Sequence, residues 1–147
     1  MSINPALFSS DKDSWETPTA LFEELDNEFH FTLDVAADAK NAKCEKYINE
    51  EMDGLKQPWS GVCWLNPPYG KNINKWVAKA VRETLNGVST VMLLPARTDV
   101  QWFHKYIYNR FETRFIRGRL KFVGAGSSAP FPSMIVVFPG IEMGRVT

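Results

Sequence analysis

A chain of 147 residues, 44% hydrophobic and 23% charged, has the size and balance of one folded domain with apolar surface for a core of two or three layers. No apolar run approaches the ~20 residues of a membrane span, and the opening "MSINPALFSSDKDSWETP" has no basic segment before an apolar one, so neither a membrane span nor a secretory signal is expected. Net charge is zero, yet residues 1–70 hold 5 Lys and Arg against 13 Asp and Glu, and residues 71–147 hold 12 against 4, a swing from −8 to +8.

The first element is a helix. Thr17 reads as its cap, with Pro18 in the first turn, and Leu21, Phe22, Leu25 and Phe29 recur at helical spacing behind it. Glu23 and Glu24 sit toward its amino end, where the dipole favours acids. "FTLDVAAD" (31–38) is a short β-prone run that ends on acids and alanines. "NAKCEKYINEEMDGL" is ambiguous between a helical turn and a short strand near Tyr47 and Ile48. "GVCWL" (61–65) reads as a buried strand.

A second helix follows, with Ile73, Trp76, Val77, Ala80, Val81, Thr84 and Leu85 on one face and Asn86-Gly87 closing it. "TVMLLP" (90–95) has the continuous apolarity of a strand covered on both faces. Thr98 or Asp99 is placed to cap a further helix carrying Val100, Phe103 and Ile107. "TRFIRGRLKF" and "SMIVVF" predict two closing strands joined by the loop "VGAGSSAPFP". In an extended strand, Arg117, Arg119 and Lys121 would project from one face. With Arg110 and Arg114 they form a basic, aromatic-interleaved run suited to a polyanion, although such runs also serve as solvated faces. Cys44 and Cys63 lack the pairing of a zinc site and read as reduced thiols of a cytoplasmic protein. His30 and His104 have no catalytic partner by spacing, and Trp59, Trp64 and Trp76 read as packing residues.

Strands alternating with helices predict an α/β domain with a mostly parallel sheet, whose ligands bind beyond the carboxyl ends of the strands. Asp34 in "LDVAAD" and the corner "LNPPYG" both lie at strand ends and so share that rim. An Asp there also serves as a turn cap, and Asn-Pro-Pro also serves as a rigid loop. The corner nevertheless has a distinctive chemistry. Two prolines stiffen the backbone and remove its donors, so an asparagine amide, a carbonyl and the ring of Tyr69 are held in fixed relation.

"NPPY" at a strand end resembles the catalytic motif of amino methyltransferases that use S-adenosylmethionine. The ordered set "SWETPTALFEELDNEFHFTLDVAAD", "NAKC", "DGL", "WLNPPYG", "LLPARTD", "GRLKF" and "APFPSMIVVF" resembles the phage-type DNA N6-adenine methyltransferase (Dam) family over most of the chain. The resemblance implies a single Rossmann-like methyltransferase domain over residues 1–147, with a C-terminal antiparallel strand. Its cofactor would be S-adenosylmethionine, without a metal, its partner DNA, and its location the cytoplasm of a bacterial host. Asn66, Pro67, Pro68 and Tyr69 would form the catalytic corner. Asn66 and the Pro67 carbonyl would accept the N6 hydrogens of a flipped adenine, and Tyr69 would stack on the base.

By the same resemblance, Trp15, Thr17, Pro18, Asp34 and Ala36 would meet the methionine end of the cofactor. Asp53 would accept from its ribose or its adenine amine. Arg97, Arg117, Arg119 and Lys121 would contact phosphates, and Phe131 would stack on the base opposite Tyr69. One departure from the wider superfamily stands out: "DVAAD" replaces the usual glycine-rich turn, so close backbone approach falls to alanines. No spare ~80–100 residues remain for a separate target-recognition domain. The alternatives are an RNA or protein-amide methyltransferase, because NPPY serves all three, and an inactive nucleic-acid-binding module on the same fold. The oligomeric state is left open.

Overall fold

The periodic apolar residues of the two expected helices do what their spacing requires. In α1 (Thr19–Phe29) Phe22 and Leu25 are buried, with Leu21 and Phe29 half-buried beside them. In α2 (Ile73–Thr84) Ile73, Trp76, Val77 and Ala80 are buried, while Leu85, just past its end, is largely exposed. The computed structural model describes residues 15–141. Most of the opening segment, where no secretory signal is expected, lies outside the described residues.

The sheet has five strands: β1 (Leu33–Asp34), β2 (Val62–Leu65), β3 (Ser89–Pro95), β4 (Glu112–Phe115) and β5 (Ser133–Phe138), in the order β1-β2-β3-β5-β4. β1, β2 and β3 are mutually parallel, and β5 runs antiparallel to both β3 and β4. Four strands therefore point one way, and the last strand in sequence enters the sheet reversed, as expected. β3 and β5 are central and buried on both faces, which is why each reads as an unbroken apolar run.

Alternation along these strands splits the core into two layers. Cys63, Leu65, Met92, Leu94, Met134, Val136 and Phe138 pack toward α2, together with Phe103 and Ile107. Trp64, Val91, Leu93, Ile135 and Val137 pack toward α1, together with Phe122 and Ala129. This is a mixed α/β domain of three layers. The ambiguous stretch before β2 contributes one parallel bridge, Tyr47 beside Asp34, rather than a full strand.

Three expectations are corrected. Thr17 does not cap α1: the helix begins one residue later, with Pro18 at the cap position and no side-chain cap bond. Glu23 and Glu24 lie beyond its first turn even so. The helix expected after Thr98 contracts to a wide π-helical turn, Phe103–Ile107, whose buried Phe103 and Ile107 hold it to the α2 layer. The strand expected over residues 113–122 stops at Phe115. Gly118 takes the left-handed conformation, with φ of 76°, and the chain folds back so that Phe122 is buried on the α1 face. Arg117, Arg119 and Lys121 therefore do not share a strand face.

Candidate active site

Strand direction brings the candidate residues to one rim. Val35 N–H donates to the Trp64 carbonyl at 3.2 Å, in register with the Asp34–Trp64 pair, so Ala36 and Asn66 leave neighbouring strand ends. Arg97 follows the carboxyl end of β3. Because β5 is reversed, its amino end meets the same rim: Ser133 pairs with Pro95, and Ala96 N–H donates to the Pro132 carbonyl at 2.8 Å. Phe131 is thereby delivered beside the Asn66 corner from the far end of the sequence. Arg117 follows the end of β4, where Ile116 N–H donates to the Ser133 carbonyl at 3.0 Å.

Asn66 is the centre of the arrangement. Its amide nitrogen donates to the Trp15 carbonyl and, at 3.0 Å, to the Thr17 hydroxyl oxygen. A carbonyl accepts only, so the bond to Trp15 defines which end of the amide is nitrogen. The amide oxygen, Oδ1, is buried and has no hydrogen-bond partner. A buried acceptor left unpaired costs free energy on the order of 1–3 kcal/mol, and such groups call for an explanation. The two prolines that follow differ: Pro67 is buried and Pro68 exposed.

Four aromatic rings pack around this amide's neighbours. Trp15 meets Phe122 and Phe131, each at 5.3 Å between ring centroids, and Phe131 meets Tyr69 edge-on at 5.6 Å. Tyr69 itself is buried, and its hydroxyl donates to the Leu93 carbonyl at 3.2 Å. Burial pushes its phenol well above the ordinary range, so it stays protonated. Phe131 thus packs directly against the ring that it was expected to face across a flipped base. Phe122 joins the cluster without a sequence signal beyond its place in "GRLKF".

The acids of the rim behave differently from one another. Asp34 is buried, and its carboxylate accepts from the backbone N–H groups of Ala36 at 3.3 Å and Lys43 at 3.0 Å. It thus shapes the alanine-bearing loop, which is the turn-cap role its type also predicted. Burial pushes its carboxyl up to about 6 despite those two bonds. Asp53 is half-buried, adopts φ of 62°, and accepts from Leu55 N–H at 3.0 Å.

Gly54, whose role the motif "DGL" does not reveal by itself, explains where that turn sits. A Cβ there would overlap the Val35 carbonyl oxygen and meet the Trp76 ring at 2.8 Å. Only glycine lets the Asp53 turn rest on the end of β1. Pro18 opens α1 and is half-buried, with its carbonyl accepting from Phe22 N–H.

Among the basic residues, Arg97, Arg117, Arg119 and Lys121 are exposed. Arg119 reaches back toward the Ala129 carbonyl at 3.5 Å, across the loop that carries Phe131. Arg114 is committed to acids. It forms a two-pronged pair with Glu28, both bonds at 2.7 Å, and a further bond to Glu112. That pairing holds the Glu28 carboxyl below its usual range. His30 and His104 are exposed, and Trp59, Trp64 and Trp76 are buried packing residues. Burial pushes both Cys44 and Cys63 up to about 12, which holds both in the protonated thiol form. Among the described residues no three His, Cys, Asp or Glu side chains converge on a metal-sized site, and no helix is long and apolar enough to cross a membrane.

Comparison with known proteins is consistent across the chain. Residues 5–139 match the model of the DNA N-6-adenine-methyltransferase (Dam) family. A DNA N-6-adenine-methyltransferase of Haemophilus phage HP1 is 32% identical over 139 residues, covering 88% of this chain and 80% of that protein. A DNA N-6-adenine-methyltransferase of Escherichia phage T1 is 33% identical over 112 residues, covering 74% of this chain and 47% of that protein.

Proposed function

The chain belongs to the DNA N-6-adenine-methyltransferase (Dam) family, and from that membership we infer that it transfers a methyl group from S-adenosylmethionine to the N6 amine of adenine in DNA. The observation that carries this reading to particular atoms is the Asn66 amide, with its donors engaged and its buried oxygen unpaired. Adenine N6 is a weak nucleophile because its lone pair is delocalised into the ring. Its two hydrogens suit two acceptors, Asn66 Oδ1 and the Pro67 carbonyl. As N6 bonds to the methyl carbon and that carbon's bond to sulfur breaks, N6 becomes tetrahedral and positive, a charge removed when one of its hydrogens leaves as a proton to water. Oxygen dipoles already aimed at its hydrogens stabilise that charge with little reorganisation.

The orphaned oxygen fits this role. Its cost in the free protein is offset when an amine hydrogen reaches it. N6 inside a duplex is out of reach of a buried group, so the adenine leaves the stack, at a cost of a few kcal/mol. Base–aromatic stacking contributes ~1–3 kcal/mol in return. Tyr69 and Phe131 are the rings at hand, and their edge-on contact must open for a base to lie between them.

The rim at the ends of β1 and β2 suits the cofactor in a Rossmann-like methyltransferase fold. Trp15, Pro18, Ala36 and the half-buried Asp53 would hold it. Asp34 would shape the loop of Ala36, and the Gly54 turn would set how near Asp53 stands to the end of β1. When bound, S-adenosylmethionine supplies an electrophilic methyl group on a sulfonium. Arg97, Arg117 and Lys121 would grip DNA phosphates. Relatives of bacteriophages support action in the cytoplasm of a bacterial host.

The test is radiolabelled methyl transfer to DNA, RNA and protein, with the DNA digested to bases. Label in N6-methyladenine is the expected result. Label confined to RNA or protein, or cofactor binding with no transfer to any acceptor, would replace this reading by one of the alternatives.

A further inference from the structure

Resemblance alone would give Thr17 to the cofactor. The hydrogen bonds assign its hydroxyl elsewhere. Thr17 is buried, 2% exposed, and its hydroxyl oxygen accepts from the Asn66 amide nitrogen at 3.0 Å. The second acceptor for the same nitrogen is the Trp15 carbonyl, two residues earlier. One acceptor would leave the amide free to turn about that bond. Two acceptors on two hydrogens hold its plane and leave the oxygen pointing away from both.

The segment that supplies them is itself anchored. Behind Thr17, Phe22 of α1 packs edge-on against Trp64 at 5.5 Å, and Trp64 lies two residues before Asn66 on β2. On the other side, Val123 N–H donates to the Glu16 carbonyl at 3.0 Å, between Trp15 and Thr17. The clamp therefore closes on the strand that leads directly into Asn66. Reversal of the amide is disfavoured because it would set Oδ1 against the Trp15 carbonyl oxygen.

We propose that Thr17 is a positioning residue for methyl transfer: its hydroxyl, with the Trp15 carbonyl, orients the Asn66 amide so that Oδ1 faces the substrate amine. The proposal rests on the methyl-transfer reading above and adds to it a residue that acts through Asn66. Thr17 has no part in the bond-making atoms. Its contribution is angular, and small misplacement of an acceptor has a large effect on rate.

Thr17→Val keeps the branched shape and removes the acceptor, and Thr17→Ser keeps the acceptor. With both substrates saturating, Thr17→Val is expected to lower kcat by about 10-fold to 100-fold, with cofactor affinity by calorimetry and thermal midpoint near wild type. Thr17→Ser is expected to recover most of the rate. Thr17→Ala serves the same comparison if the valine variant does not fold. Unchanged kcat in the folded, acceptor-free variant overturns the proposal. So does lost cofactor affinity with kcat intact, which would return Thr17 to the cofactor.

A second readout does not depend on turnover. In the NMR spectrum the Asn66 side-chain amide proton bonded to Thr17 should be protected from exchange in wild type and Thr17→Ser, and should exchange faster in Thr17→Val. Equal protection in all three overturns the proposal even if the wild-type protein transfers no methyl. A wild-type protein without N6-methyladenine product would instead remove the functional reading.

Discussion

The Asn66 corner and the basic run from Arg110 to Lys121 are both conspicuous in the sequence, and the fold treats them in opposite ways. The corner gains from tertiary structure. Residues 15, 17 and 66 are bound together, rings from positions 69, 122 and 131 gather beside them, and one buried acceptor is left unpaired. The basic run loses by it. Arg114 is bound to Glu28 and Glu112, and Arg119 turns toward Ala129. Gly118 breaks the strand that would have aligned the charges. Rigid, donor-poor backbone keeps its chemistry wherever the chain places it. Long cationic side chains acquire their role only from the neighbours they find.

The sharpest way to break the comparison is at the corner. Asn66→Ala removes the unpaired acceptor and should lower turnover by about 100-fold or more, with folding and cofactor affinity nearly intact. Single-turnover kinetics beside calorimetry checks this, and near-normal turnover would reduce the corner to a rigid loop.

Asp34 gives a pH signature on the same rim. Its carboxyl titrates at about 6 in the folded chain, above the ordinary 3.8, because burial penalises the charged form. Between about pH 4 and 6 the folded state holds more protons than the unfolded one, so this group's contribution to stability falls as pH rises through that window. The loss should be on the order of 2 kcal/mol relative to Asp34→Asn, which does not titrate. Denaturant unfolding of both proteins from pH 4 to 7 checks the sign. A wild-type stability that rises with pH relative to Asp34→Asn would mean that Asp34 is stabilised in its charged form.

On the basic side, changing Arg117 and Lys121 together to Ala should weaken binding to any DNA sequence. It should also reduce the slope of log affinity against log salt by ~0.9 for each phosphate that is no longer neutralised. Cofactor affinity should not move. An unaltered salt slope would make these two residues a solvated edge and shift the grip to Arg97.

Arg114→Ala is the matching control, with the smallest expected effect. Its partners are exposed acids, so the thermal midpoint should barely move, and the salt slope should stay at the wild-type value. A changed slope would show that Arg114 leaves Glu28 for DNA.

Much of this molecule was legible without coordinates, because local rules settle local structure. Apolar spacing marked α1 and α2, and unbroken β-prone runs marked β3 as a strand covered on both faces and β5 as a closing strand. Two prolines after an asparagine marked a corner whose stiffness follows from covalent geometry. The same reasoning failed where a distant partner outweighed the local preference. Thr17 is a good cap by type, yet its hydroxyl is taken by Asn66, 49 positions away. Phe131 reaches the corner only because β5 enters the sheet antiparallel beside β3, a pairing that no window of the sequence contains. Residue type and spacing determine which groups are available and how stiffly each is held. Which of them meet, and which acceptor is left for a substrate, is decided by strand order and register, because hydrogen bonds act over ~3 Å in space whatever the separation along the chain.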